Sequence, residues 1–335
     1  MQQQSRKLNI VKAICIFLMV SGHSGLPAAL EGFIYLFHMP AFFFLSGFLL
    51  KESWFDNPLG FIKKRLGSLY APFVFWELVF LLLTGVSHRL YLIDYQLSAR
   101  EMLQAAAKYV TFRGHQPLLN GFWFLKTLFF CSIACLFLLK YVRRGRGWLV
   151  AAMVVAAALC RIVPYETTMF SRLFMACAFY ISGFLAAQGK FRISLPVATA
   201  SFAAVALISL FWRQSILADG WEALLYYPVA MLGTVAVFGF AESLDRDTRY
   251  ATLLDSIGRA TLTILTFHFL SFKLVSLLKI ALWHLPIGSL AEFPVIHAHN
   301  TLFWFIYALV GTLLPLGIYT LRTRSPKPQG VIKLF

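Results

Sequence analysis

Ten windows of about 20 predominantly apolar residues recur along the chain, roughly at 9–30, 31–50, 66–87, 120–142, 147–163, 172–189, 195–213, 222–241, 257–283 and 301–321. As a helix, a stretch of that length crosses about 30 Å of hydrocarbon. Composition agrees: 59% of the 335 residues are hydrophobic and 13% charged, where soluble domains lie near half and a quarter. The expected fold is an all-α integral membrane protein of about ten transmembrane helices. Residues 1–321 read as a single polytopic domain and 322–335 as a short basic cytoplasmic tail.

The formal net charge is +16, which in a soluble protein would suggest nucleic acid. Topology explains it instead, because cytoplasmic loops of membrane proteins collect Lys and Arg. With the N-terminus inside, 20 of the 30 basic residues fall on the cytoplasmic side, in groups such as Arg6–Lys7–Lys12, Lys63–Lys64–Arg65 and Arg143–Arg144–Arg146. Both termini are therefore expected in the cytoplasm, in a multi-pass protein of the cell's inner membrane, and no nucleic acid partner is needed. The outward loops keep Arg89, Arg100, Lys108, Arg113, Arg161, Arg172 and Arg213. Lys12 interrupts the first apolar run and no small-residue cleavage site follows it, so an uncleaved first span is expected rather than a signal peptide. The five cysteines all lie in apolar runs without metal spacing, which argues against disulfides and against a zinc site. The outward loop 88–119 contains SAREMLQAAAKYVTF, which has helical composition and suits the membrane surface or a plain connecting helix. No internal repeat, phosphate-binding glycine loop or GxSxG elbow is present.

The chemistry is concentrated where polar residues interrupt the apolar windows, since ionisable groups at membrane depth are expensive. Lys12 and His23 are eleven residues apart, which on one helix puts them on one face, about 16 Å apart. Counting from the span ends at about 1.5 Å per residue, His23, His38, Glu77, Lys126 and His268 fall in one layer in the middle to outer half of the membrane. A polar cavity there would account for all five. Each has a structural alternative. His38 precedes Pro40, whose ring frees backbone carbonyls for the imidazole to satisfy. Glu77 suits an ion pair with Lys126 or a histidine, and His268 a hydrogen bond between helices. Lys126 and Lys273 suit snorkelling to the outer interface. His23, set among small residues in SGHSG, leaves room for a ligand. His88, His115, His284, His297 and His299 read as loop residues.

The segments LNIVKAICIFLMVSGHSG and FHMPAFFFLSGFL resemble the integral-membrane acyltransferase-3 family, in particular its fucose O-acetylase-like branch. The shared pattern is a basic residue, ten residues, a histidine, then an FHMP-type entry into an aromatic run ending in Ser-Gly. GFWFLKTLFF and LTILTFHF resemble later segments of that family. The resemblance implies about ten membrane helices and transfer of an acyl group, usually acetyl, from cytoplasmic acyl-CoA to a hydroxyl of a cell-surface or lipid-linked glycan. It implies no permanently bound cofactor; acetyl-CoA is the donor substrate. His23 matches the catalytic histidine. Lys12 stands where arginine is usual, without arginine's bidentate fork, and Asn9 where aspartate is common. The glutamate some branches carry after the tryptophan is absent, with Lys126 and Thr127 nearby instead.

The expected mechanism places the donor's phosphates on Lys63, Lys64, Arg65, Arg143 and Arg144, with Lys12 meeting them or the pantetheine arm. His23 acts as general base on the acceptor hydroxyl or takes the acyl group itself. His38 and Glu77 are further catalytic candidates, Glu77 as the group that orients the His23 ring. Lys126, His38 or Ser46 offers a donor to the oxyanion, and Trp123 a face for a sugar ring. Ser46, Trp123, Lys126 and His268 form the expected substrate-binding set. The alternative is an exporter of a surface glycan or its precursor, since midplane histidines also suit a proton-coupled carrier. The sequence shows no paired broken helices in two halves, as such carriers have.

Overall fold

The computed structural model describes residues 2–160, 168–189, 192–245 and 248–324. Arg161, Lys190, Arg246 and the tail beyond 324 lie outside them. The fold is about 80% helix with no strand among the described residues. In chain order the helices are α1 (Gln2–Gly22), α2 (Ala28–Tyr35), α3 (His38–Phe48), α4 (Pro58–Arg65), α5 (Ala71–Leu82), α6 (Thr84–Arg89), α7 (Ala99–Val110), α8 (Trp123–Tyr141), α9 (Arg146–Leu159), α10 (Thr168–Gln188), α11 (Leu195–Phe211), α12 (Gly220–Leu244), α13 (Thr248–Arg259), α14 (Thr261–Trp283) and α15 (Phe303–Arg324).

Seven stretches among the described residues are long and apolar enough to cross a membrane: Ala28–Phe48, Pro58–Leu82, Pro117–Tyr141, Phe170–Gln188, Gly220–Leu244, Thr261–Trp283 and Phe303–Thr323. Three further expected spans map onto lesser helices. α1 carries Arg6, Lys7 and Lys12. α9 has 14 residues and α11 has 17, lengths of about 21 and 26 Å at the helical rise.

Several of the long stretches are not continuous α-helix. Ala28–Phe48 breaks at Leu36–Phe37 into α2 and α3, Pro58–Leu82 passes through a π turn at Leu66–Tyr70, and Pro117–Tyr141 starts as a 3₁₀ turn at Pro117–Phe122. Pro40 and Pro72 explain two of these places, because proline has no N–H to donate back along the helix. The surface segment SAREMLQAAAKYVTF does form a helix, α7. Ser98 caps its third amide while the Glu101 carboxylate accepts from the Ser98 N–H at 2.8 Å, a reciprocal capping box.

Two compact units share the chain. The first comprises Met1–Met19, Ala28–Arg65 and Thr127–Arg259. Its tightest crossing is α3 on α10. A Cβ on Gly47 would run into the Tyr180 carbonyl oxygen, and one on Gly183 into that of Phe44. Fully buried Phe43, Phe44, Phe179, Tyr180 and Phe184 fill the space around the crossing. The second unit comprises Val20–Pro27, Leu66–Lys126 and Ala260–Phe335. α14 packs on α15, with Phe272 edge-on to Tyr307 at 5.4 Å between ring centroids. α1 starts in the first unit and ends in the second.

Candidate functional site

In the second unit, α1 ends at Gly22 and His23 follows in a tight turn, its N–H bonded to the Val20 carbonyl at 3.1 Å. The imidazole stacks on His268 of α14, with ring centroids 5.6 Å apart and planes 28° from parallel. Phe269 approaches the same ring at 5.1 Å and in turn contacts Phe293 at 4.7 Å. The two histidines thus meet against aromatic rings, His23 part-buried and His268 fully buried.

His268 is fully buried. Its Nδ1 lies 3.2 Å from the Ile264 carbonyl and 3.0 Å from that of Leu265. Both partners are acceptors, so in the neutral ring the proton must sit on Nδ1. That leaves Nε2 as a bare lone pair, and it has no hydrogen-bond partner among the described residues. Buried polar atoms are nearly always partnered, so an orphan acceptor beside a second imidazole is a notable exception. The expected bond between helices is not what His268 makes; its proton goes to carbonyls of its own helix. The 3₁₀ turn before α8 packs against this ring: a Cβ on Gly121 would lie 3.6 Å from His268 Cε1.

Glu77, on α5, is also fully buried in the second unit. Oε2 accepts the Gln116 backbone N–H at 2.6 Å, while Oε1 has no partner among the described residues. Tyr95 donates to the Gln116 side-chain oxygen at 2.9 Å. The carboxylate therefore bonds to the loop amide of Gln116, not to Lys126 or a histidine, and the ring beside His23 is that of His268. Trp123 and Lys126 lie on the first turn of α8, both part-buried.

α14 carries two more buried cations, Lys273 and Lys279. Lys273 Nζ donates to the carbonyls of Leu290 at 2.7 Å and Glu292 at 2.8 Å; Lys279 Nζ donates to that of Ile296 at 2.6 Å. Lys273 does not snorkel outward but is capped by the loop between α14 and α15. The loop assignment of His284 and His299 holds, with His299 flat on Trp283 at 5.0 Å.

The remaining sequence candidates belong to the first unit. Lys12 donates to Asn9 Oδ1 at 3.1 Å, Asn9 Nδ2 to Asp255 at 2.8 Å, and Arg259 to the other oxygen of Asp255 at 2.8 Å. Asn9 is no counter-ion itself, but it relays Lys12 to a carboxylate on α13 that sequence reading had not singled out. His38 opens α3 with Nδ1 2.8 Å from the Ile34 carbonyl, as the helix break before Pro40 suggested. Ser46 donates to the Phe42 carbonyl of its own helix at 2.8 Å. Lys64 lies over Trp54 at 5.1 Å, and Arg65 over Phe61 at 4.7 Å with a long bond to Tyr180. Arg143 and Arg144 are exposed between α8 and α9. Neighbouring Arg146 pairs with Glu52 at 3.0 Å. The structure also gathers three buried thiols that sequence spacing had not connected: Cys131, Cys135 and Cys177, all within 4.8 Å of one another.

A helical membrane protein with a stacked histidine pair lined by aromatic rings is the class defined so far. Residues 5–320 match the acyltransferase-3 family model, described as an acyltransferase domain, and the chain belongs to that family. It is thus a multi-pass membrane acyltransferase. No curated protein and no solved structure matches the chain.

Proposed function

We propose that the chain is a membrane O-acyltransferase, most simply an O-acetyltransferase. It would move the acyl group of cytoplasmic acyl-CoA to a hydroxyl of a cell-surface or lipid-linked glycan, in the inner membrane, with both termini in the cytoplasm. The observation that carries the reading is the His23–His268 pair, with its unpartnered Nε2 in a wall of aromatic rings. A neutral imidazole in dry surroundings is a competent base for a hydroxyl. His23 removes the acceptor's proton as the oxygen attacks the thioester carbonyl. The tetrahedral intermediate then collapses, and His23 returns the proton to the departing thiolate. Transfer through an acyl-His23 intermediate balances equally, with the thiolate leaving before the hydroxyl attacks. His268 holds its proton on Nδ1 and presents Nε2 as acceptor, a group suited to orient a hydroxyl or the partner imidazole.

The Lys12–Asn9–Asp255 relay supports a role for Lys12 in holding the donor: Asp255 shares its negative charge with Arg259, which leaves Lys12 cationic character to offer a phosphate. Lys63, Lys64 and Arg65 at the end of α4, with Arg143 and Arg144, supply further cationic contacts for the polyanionic donor. Lys126 would steady the oxyanion, Glu77 would hold an acceptor hydroxyl, and Trp123 would face a sugar ring.

The test is to supply labelled acetyl-CoA and a panel of glycans to the purified protein and look for covalent product. Acylated glycan made by the parent and not by His23→Ala supports the reading; product at wild-type level from His23→Ala would sink the histidine assignment. One observation favours a second reading, export of a glycan or precursor: the breaks within Ala28–Phe48 and Pro117–Tyr141 resemble the discontinuous helices of carriers. A carrier gives no covalent product in the same assay.

A further inference from the structure

The turn that carries His23 is fastened from one direction. Asn300, in the loop before α15, donates from Nδ2 to the Gly25 carbonyl at 2.7 Å and to the Ser24 carbonyl at 3.3 Å. These are the two residues directly after His23. Carbonyls just past a helix end have no intrahelical donor and need an outside partner, and Asn300 supplies it. The fit is close: Gly25 has φ +70°, and a Cβ there would sit 2.6 Å from Asn300 Nδ2 and 2.9 Å from Val295 Cγ2. Only glycine accepts both the left-handed backbone and the approach.

The amide of Asn300 is oriented in turn. Lys279 Nζ lies 3.4 Å from its Oδ1 while donating to the Ile296 carbonyl at 2.6 Å. The ammonium also faces the rings of Phe303 at 5.5 Å and Tyr307 at 5.6 Å, contacts that hold a cation in place. A cation on the oxygen side and two carbonyls on the nitrogen side permit one amide orientation. Buried Lys279 on α14, six residues past the capped Lys273 and three turns from His268, thus joins the helix bearing one imidazole to the turn bearing the other.

We propose that Asn300 is a positioning residue for His23, oriented by Lys279, and that this clamp sets the imidazole against His268. The inference rests on the acyl-transfer reading for its kinetic consequence but not for its structural one. Asn300→Asp keeps the shape and the Lys279 contact but replaces the donor with an acceptor facing two carbonyls, so it releases the turn. Asn300→Ser removes the amide without adding charge, and serves if the aspartate variant does not accumulate.

The experiment measures two quantities on each variant in detergent. The first is the rate at which diethyl pyrocarbonate carbethoxylates His23, read by mass spectrometry of its peptide. The second is acyl transfer from labelled acetyl-CoA, separated into kcat and KM. The expected result is a change of at least threefold in the His23 modification rate. With it come a fall in kcat of about tenfold or more and donor KM within twofold of the parent. An unchanged modification rate, or kcat loss matched by an equal rise in KM and a lowered unfolding temperature, overturns the positioning role. A changed modification rate in a protein whose parent transfers no acyl group leaves the clamp standing and brings down the acyl-transfer reading instead.

Discussion

Lys12 and His268 are both polar groups set in apolar helices, yet their surroundings are opposite. Around Lys12 the polar side chains form a continuous chain: its ammonium meets Asn9, Asn9 meets Asp255, and Asp255 meets Arg259. Nearer the start of α1, Arg6 pairs with Asp245 at 2.5 Å and Lys7 with Glu242 at 2.6 Å. Around His268 the polar complement is left incomplete, with Nε2 unpartnered next to the His23 ring. A linked chain of polar side chains fixes a helix. An unsaturated group reserves capacity for something that arrives. Under the proposed function, the first region would hold the donor and the second would do the chemistry.

The largest test of that contrast is His23→Ala, which should lower acyl transfer by about 10²- to 10⁴-fold, the range for losing a general base. Protein yield in the membrane should stay normal, and a rate within a few-fold of the parent would undo the assignment. His268→Phe keeps an aromatic ring but removes Nε2. Transfer should fall by about tenfold to a hundredfold, less than for His23, and a loss equal to that of His23→Ala would make the two rings one catalytic unit. In the Lys12 region the effects should fall on binding. Lys12→Ala and Asp255→Ala should each raise the KM for acyl-CoA by several-fold with little change in kcat, and Lys12→Arg should be tolerated. Equal loss in Lys12→Ala and Lys12→Arg would argue against a donor contact. The smallest effect on chemistry belongs to Gly47→Ala, which should leave kcat of the surviving protein unchanged. It should nevertheless cost about 1–3 kcal/mol of stability through overpacking, seen as a lower unfolding temperature in detergent.

Much of the architecture was legible because hydrocarbon is an unforgiving solvent. Seven apolar windows correspond to stretches long enough to span, and Lys12 and His23 drew notice because burying such groups is costly. What escaped reading was whatever depends on a distant partner or on backbone detail. The ring stacked on His23 comes from His268, about 245 positions later, and periodicity within α1 says nothing of it. The carboxylate behind Asn9 is on α13, 246 residues away in sequence. The caps on Lys273 and Lys279 are backbone carbonyls, which every residue carries and no sequence marks.

The Gly47–Tyr180 crossing bears on how mutational data for this chain should be interpreted. The aromatic run ending in Ser-Gly is among its most distinctive stretches, and at least its glycine is there because another backbone passes where a side chain would be. A cell-based screen scoring only acyl transfer would rank Gly47 and Gly183 beside the histidines. Measuring the amount of folded protein in the same clones separates the two groups: glycine variants lose signal in proportion to the protein present, and histidine variants lose it per molecule.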